Sequence, residues 1–375
     1  MIDINSKTMI FPFFVPYVKS EKVPGPTLES HDKKSYVQID GYPENGGMAP
    51  PLLGSFNMPG PNGPVYSIPL PTLGFNPNAD VDLLAAAMKG TGTRDKVVIK
   101  VVGNRTRHER LIIAAKYKER FGKELDKELA RETSGNYRDL LLALFKPLDV
   151  LLAEIVHGAV VGIGTRDSQL IDIVTQFTGP EMIALKDTYF RMYKKQMAAD
   201  ISGDTSGSYR KVLLTCVDGT RAPRGKLESL TTAQQVANRF YRAGEGRLGT
   251  DDAAYIEILT GYSAEFLQVV STEYMKSHGK YLVDAIKSET SFNYREALIA
   301  VASTRGQHFA RRIKDATRGV GTRDTLLVNI FAILEKPDLK AAALAFEPMF
   351  GEQLPRNVAS DTSGNYRDLL LELLR

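Results

Sequence analysis

Four times along this chain a glycine of a Gly-x-Gly-Thr-type loop is followed, 40 residues later, by a carboxylate that opens the string acid-Thr-Ser. The pairs are Gly92 and Glu132, Gly164 and Asp204, Gly249 and Glu289, and Gly321 and Asp361. Each half is ordinary alone. A glycine loop ending in Thr is usually a helix connection with a cap, and an acid-Thr-Ser string usually starts a helix. Together, a tight loop that can turn several carbonyls inward and one acidic side chain at fixed separation are the parts of a hard-cation site. Four copies at one spacing predict a repeated structural unit with a Ca²⁺ site in each.

The elements that must hold these parts read as helices. In FNPNADVDLLAAAMKG, Asn78 or Asp80 is expected to cap a helix with Leu83, Leu84, Ala87 and Met88 on one face, ended by Gly90 and Gly92. Thr93 is expected to cap the next helix, with Asp95 in its first turn and Val97, Val98, Val101 and Val102 along it. A third helix carries Leu111, Ile112, Ala115 and Tyr117 and stops at Gly122. A short LDKELARE helix leads to Glu132, and Thr133 or Ser134 caps a final apolar helix, NYRDLLLALF. The order recurs with loop glycines 72, 85 and 72 residues apart, the extra length falling in the polar stretch 218–232. The expected body is all-α: two successive pairs of repeats joined by a longer connection. Helices this short must bury their apolar faces together to be stable. The expected units are 75–146, 147–218, 233–303 and 304–375, with a linker at 219–232.

Residues 1–74 differ in texture, holding 12 of the 19 prolines and 8 of the 31 glycines. They read as an extended tail, suited to a protein partner. The net charge of +4 is too weak for a nucleic-acid protein, and a single cysteine, Cys216, excludes a disulfide framework and favours a reducing compartment. No apolar run is long enough to span a bilayer, and 8–18, broken by Pro12 and Pro16, makes a poor signal peptide. The five histidines form no metal or triad pattern, Cys216 sits in the apolar string VLLTCV, and no Walker or dinucleotide motif is present, so no enzyme is expected.

Over about residues 75–375 the chain resembles the annexins. The resemblance rests on FNPNADVDLLAAAMKGTGT, the four Gly-Thr loops, the four acid-Thr-Ser strings and the 72–85–72 spacing. It implies a right-handed superhelical curved disk of four five-helix repeats, with loops and carboxylates on one convex face and a variable N-terminal tail for partners. In repeat one the ligands are then the carbonyls of Met88, Gly90 and Gly92 with Glu132; in repeat two, Val160, Gly162, Gly164 and Asp204; in repeat four, Thr317, Gly319, Gly321 and Asp361. In repeat three, where Arg247 replaces the first glycine, they come from Glu245 or Gly246, Arg247 and Gly249, with Glu289. One formal charge per site makes intrinsic affinity weak. A lipid phosphate oxygen can complete the shell, which couples cation and membrane binding.

Basic residues (Lys89, Arg94, Arg166, Arg247, Arg318 and Arg323) are expected to meet phosphates, and the apolar tips Ile163, Leu248 and Val320 to dip into the headgroup boundary. Where many annexin repeats read Gly-Thr-Asp-Glu, repeats one, two and four read Gly-Thr-Arg-Asp. This predicts some binding to anionic lipid without Ca²⁺. The expectation is a cytoplasmic protein, peripheral on anionic phospholipid when Ca²⁺ is present, with the outer cell surface and self-association on the membrane left open. The competing expectation is a Ca²⁺-regulated interaction scaffold for cytoskeletal or tail-bound partners.

Overall fold

A computed structural model describes residues 74–375 apart from residues 91, 163, 220 and 319–321. The expected tail therefore lies outside the described residues, as do Ile163, Gly319, Val320 and Gly321. Twenty helices and no strand occur among the described residues, five helices per repeat. Repeat one has α1 (Pro77–Ala87), α2 (Asp95–Gly103), α3 (Arg107–Phe121), α4 (Leu125–Glu132) and α5 (Gly135–Leu144). Repeat two has α6 (Leu148–Val160), α7 (Asp167–Gln176), α8 (Pro180–Tyr193), α9 (Met197–Asp204) and α10 (Gly207–Val217). Repeat three has α11 (Leu230–Ala243), α12 (Asp252–Gly261), α13 (Ala264–His278), α14 (Leu282–Glu289) and α15 (Phe292–Ala302). Repeat four has α16 (Arg305–Ala316), α17 (Asp324–Ile333), α18 (Lys336–Phe350), α19 (Leu354–Asp361) and α20 (Gly364–Leu373).

Local chemistry explains the boundaries, with corrections to the sequence reading. Asn76, not Asn78 or Asp80, caps α1: its side-chain oxygen accepts from the N–H groups of Asn78 and Ala79. Pro77 with its preset φ favours starting the helix there. Asp80 instead binds Arg105 at 2.7 Å. The inner stripe of α1 is Val81, Leu84 and Ala87, while Leu83 faces out at 48% exposure. On α3 the buried apolar residues are Ile113 and Tyr117, and Leu111, Ile112 and Ala115 are only partly covered. Part of the inner face is taken by charged groups, which apolar periodicity does not reveal. Arg110 Nε donates to Val102 O at 2.9 Å, and Arg107 donates to the carbonyls of Lys146 and Ala332. Gly122 ends α3 in the left-handed region at φ 67°.

Neither hydroxyl of the acid-Thr-Ser strings caps the last helix of its repeat. Each Thr turns back to a carbonyl in the last turn of the helix before it: Thr133 to Leu129 O, Thr205 to Ile201 O, Thr290 to Ile286 O and Thr362 to Val358 O, at 2.5–2.6 Å. This turn delivers the acidic residue at the end of the fourth helix of each repeat.

The repeats also pair differently in space from their order in sequence. Repeat one packs against repeat four through α2 with α20 and α5 with α17; repeat two packs against repeat three through α7 with α15 and α10 with α12 and α15. The segment before α11 is not merely a polar spacer. Its Arg221 is buried and donates to Thr175 O at 2.5 Å and to Val301 O, joining repeats two and three.

Candidate cation-binding clasps

Each carboxylate is tied to the loop 39 residues before it by the threonine that follows the loop glycine. Thr93 Oγ1 donates to Glu132 Oε2 at 2.9 Å, Thr165 Oγ1 to Asp204 Oδ2 at 2.5 Å, Thr250 Oγ1 to Glu289 Oε2 at 2.7 Å and Thr322 Oγ1 to Asp361 Oδ2 at 2.8 Å. In the last three the hydroxyl also lies within 3.2 Å of the backbone carbonyl of the acidic residue. The expected cap at Thr93 is thus overturned: Arg94 holds the cap position before α2 and makes no side-chain cap bond, and the threonine serves the carboxylate. Sequence reasoning missed this role. Its signal was present, since a hydroxyl residue follows the loop glycine in all four copies.

A second bond closes each loop. The N–H of Arg94 donates to Ala87 O, that of Arg166 to Ala159 O, that of Arg323 to Ala316 O and that of Asp251 to Ala243 O, at 2.7–2.9 Å. The first three bonds span seven residues and the last spans eight, so the third loop is one residue longer. That extra residue changes its backbone. Gly90 and Gly162 sit at φ 103° and 123°, where a side chain is strained, but Arg247 at the matching place is not in the left-handed region. The second glycine is left-handed throughout the described loops, at 83°, 83° and 75° for Gly92, Gly164 and Gly249.

Among the described residues no hydrogen bond falls on the carbonyl oxygens of Met88, Gly90 and Gly92, of Val160, Gly162 and Gly164, of Glu245, Gly246, Arg247 and Gly249, or of Thr317. Each clasped carboxylate keeps one side-chain oxygen without a hydrogen bond among those residues. No group of three or more His, Cys, Asp or Glu side chains suited to a metal occurs among them. The donor set is therefore neutral carbonyl oxygen plus one carboxylate, which suits a hard ion such as Ca²⁺ and not a thiolate- or imidazole-seeking one. The Glu245 side chain itself is engaged, accepting from Tyr274 Oη at 2.7 Å and from Lys280. Only its carbonyl is available.

The basic residues divide. Lys89 and Arg318 are exposed beside their loops. Arg94 Nη2 donates to Ala86 O at 2.7 Å, which ties it to the end of α1. Arg166 lines a cleft with Asn136, Lys146 and Asn329. Arg247 reaches Asp251 at 3.4 Å while half exposed, and Arg323 is exposed at the start of α17. The tip Leu248 is fully exposed, and Val161, not singled out from sequence, is 53% exposed in the second loop.

Behind the clasps the first turn of each second helix carries an aspartate beside a tyrosine whose hydroxyl oxygen is buried. Burial, then the charge of Asp95, raises the Tyr137 hydroxyl pKa; Tyr209 with Asp167, Tyr294 with Asp252 and Tyr366 with Asp324 repeat the arrangement. Asn365 Nδ2 of repeat four donates to Asp95 Oδ2 of repeat one at 2.7 Å, and Ser208 of repeat two donates to Asp252 of repeat three at 2.5 Å. The loops of paired repeats are held in register by these bonds.

Other titratable groups serve packing. His308 Nε2 and Asp172 Oδ1 lie 2.8 Å apart, and Arg312 Nε donates to the same oxygen at 2.7 Å, joining α7 to α16. Burial pushes the His308 imidazole below its usual value despite Asp172. Burial opposes the Asp172 carboxylate, yet the His308 bond and the Arg312 charge hold it below the ordinary range. Cys216 is a buried free thiol, its pKa raised by burial to about 11.

An annexin family model matches the chain four times, at residues 79–144, 152–216, 235–301 and 308–373. Human annexin A13 is 34% identical over 304 residues, covering 80% of this chain and 96% of that protein. The solved structure of annexin III superposes with a TM-score of 0.72 at 34% identity, covering 80% of this chain and 94% of that one. A calcium-bound annexin (Sm)1 superposes with a TM-score of 0.72 at 30% identity, covering 81% and 92%.

Proposed function

The chain belongs to the annexin family, and from that premise we propose that its four clasps take Ca²⁺ and attach it peripherally to anionic phospholipid. Annexins as a family bind phospholipid in a Ca²⁺-dependent manner. The observation that carries the reading here is the fourfold bond from loop threonine to carboxylate, beside carbonyls that accept no hydrogen bond. It presents oxygen ligands already gathered before any ion arrives.

Ca²⁺, when bound, supplies positive charge and coordination positions that a lipid phosphate oxygen can fill. The protein's part is to hold one carboxylate and a few carbonyls together, with too few ligands to satisfy the ion alone. Completion by phosphate then makes ion and membrane affinities reciprocal. Several sites facing one surface strengthen attachment through effective concentration. Exposed Lys89, Arg318 and Arg323 add attraction for the lipid charge. No described helix is long and apolar enough to cross a bilayer, in keeping with peripheral attachment.

The test is co-sedimentation of the full chain with phosphatidylserine-containing vesicles across Ca²⁺ concentrations, comparing the unaltered protein with Glu132→Gln plus Asp361→Asn. Each change keeps an acceptor for Thr93 or Thr322 while removing the site's only formal charge. The Ca²⁺ requirement is expected to rise on the order of tenfold at each altered site, with the helical signal unchanged. Equal binding by both proteins would refute the site assignment.

A further inference from the structure

The two most exposed large apolar side chains among the described residues both flank the third clasp. Leu248, at the loop tip, is 102% exposed, and Phe292, at the start of α15, is 87% exposed. The bond from Thr250 to Glu289 holds their two segments together, Leu248 two residues before the threonine and Phe292 three after the carboxylate. Phe292 carries a second anomaly. Its φ is 51°, and among the described residues only Lys194 is another non-glycine residue in the left-handed region. The matching positions of the other repeats are Gly135, Gly207 and Gly364 at φ 59–60°, the residue type suited to that conformation. At those glycines an added Cβ would meet nothing within 4 Å, so this position points into open space.

A phenylalanine here is therefore unfavourable to the fold twice over. It sits in a conformation that disfavours a side chain, and it buries little apolar surface in return. A strained backbone carrying an outward aromatic beside a binding site indicates an external partner. We propose that Phe292, with Leu248, forms an apolar anchor that enters the headgroup and acyl boundary of an anionic bilayer when the third clasp engages it. This rests on the membrane reading above. The bilayer is favoured as occupant because two separated apolar points straddle a cation clasp, with the exposed guanidinium of Arg247 next to one of them. An aromatic at the interface with a positive charge alongside suits a lipid surface. The anchor also gives the third repeat, whose loop is altered, its own means of attachment.

The chain contains no tryptophan, so Phe292→Trp in the full protein places a single reporter at the anchor. With phosphatidylserine vesicles and Ca²⁺, its emission should shift to the blue, be quenched by lipids brominated along the acyl chain, and revert on chelation. A second variant, Phe292→Gly, installs the residue of the other repeats and relieves the strained conformation. It should fold normally by circular dichroism and need on the order of five times more lipid for half-sedimentation. Protein that sediments with vesicles while the tryptophan stays solvent-like, or a Phe292→Gly variant that binds as the unaltered chain does, overturns the anchor and leaves the membrane reading standing. Failure of the unaltered chain to sediment at any Ca²⁺ concentration overturns both. A blue shift with Ca²⁺ alone that grows with protein concentration would mark self-association and overturn the lipid assignment.

Discussion

Replacing Thr93 and Thr165 by valine removes two hydroxyls while keeping side-chain shape, and it asks whether the clasp prepares the carboxylate or competes for it. In the structure each hydroxyl donates to one carboxylate oxygen, at 2.9 Å to Glu132 and 2.5 Å to Asp204, leaving the other oxygen without a hydrogen bond among the described residues. A carboxylate has about four lone-pair sites, so one donated hydrogen bond leaves ample capacity for a cation. The threonine's main effect should then be to fix the acid against the loop. A hydrogen bond to a charged group contributes about 1.5–3 kcal/mol when shielded; these groups are exposed or half-exposed, so about 1 kcal/mol each is the reasonable figure after solvent screening. Without the bond, the acidic side chain must be ordered when the ion binds, at a cost of about 0.5–1.5 kcal/mol. That corresponds to roughly a two- to tenfold loss of affinity per site. The assay is the Ca²⁺ midpoint for vesicle co-sedimentation, with Thr→Ser at the same positions as a control that keeps the hydroxyl. The valine protein should need more Ca²⁺ and the serine protein should behave nearly as the original. If the valine protein binds at equal or lower Ca²⁺, the hydroxyl does not preorganise the site and the reasoning fails.

Three further outcomes are expected. His308 has a folded-state pKa below its usual value, so the unfolded chain takes up a proton first as pH falls. Stability should therefore decline below about pH 6.5 by up to about 1.4 kcal/mol per pH unit, and the low pKa of Asp172 acts in the same direction at lower pH. Melting temperatures from pH 7.5 to 5 check this, and His308→Asn should flatten the slope while lowering stability at neutral pH. Arg221→Ala strands the carbonyls of Thr175 and Val301 between repeats two and three and should cost about 2–4 kcal/mol in urea unfolding; a loss under about 0.5 kcal/mol, the ordinary range for a surface change, would show the bridge to be unimportant. Cys216, buried with a pKa near 11, should resist thiol reagents at pH 8 in the native protein and react on unfolding; rapid labelling of folded protein would contradict its burial.

Much of this molecule was legible in one dimension because its signals are local and repeated. The helices α1 to α5 and their copies follow from glycine stops, apolar stretches and the acid-Thr-Ser turns. The pairing of loop and carboxylate was visible as a constant spacing, since equal separation in equal units means equal placement. The family was visible in the same residues. Errors arose where one residue type has several possible partners. A threonine before a helix reads as a cap because its oxygen can accept a first-turn N–H, whereas the Thr93 hydroxyl is placed to donate to the charged carboxylate of Glu132, 39 residues away. The inner face of α3 was misplaced because Arg107 and Arg110 are buried through bonds to carbonyls in other segments.

The sequence by itself therefore determined the helical class, the fourfold unit and the loop-to-carboxylate spacing, all written in local patterns. Only the tertiary structure decided which repeats pair. Chain order suggests one with two and three with four, whereas Asn365 on Asp95 and Ser208 on Asp252 join one with four and two with three. It also decided that the third loop closes over eight residues and that Phe292 is held outward in a left-handed conformation. The physical reason is common to these cases. Long-range hydrogen bonds, backbone dihedrals and exposure depend on what the folded chain brings together, and no spacing along the chain encodes them.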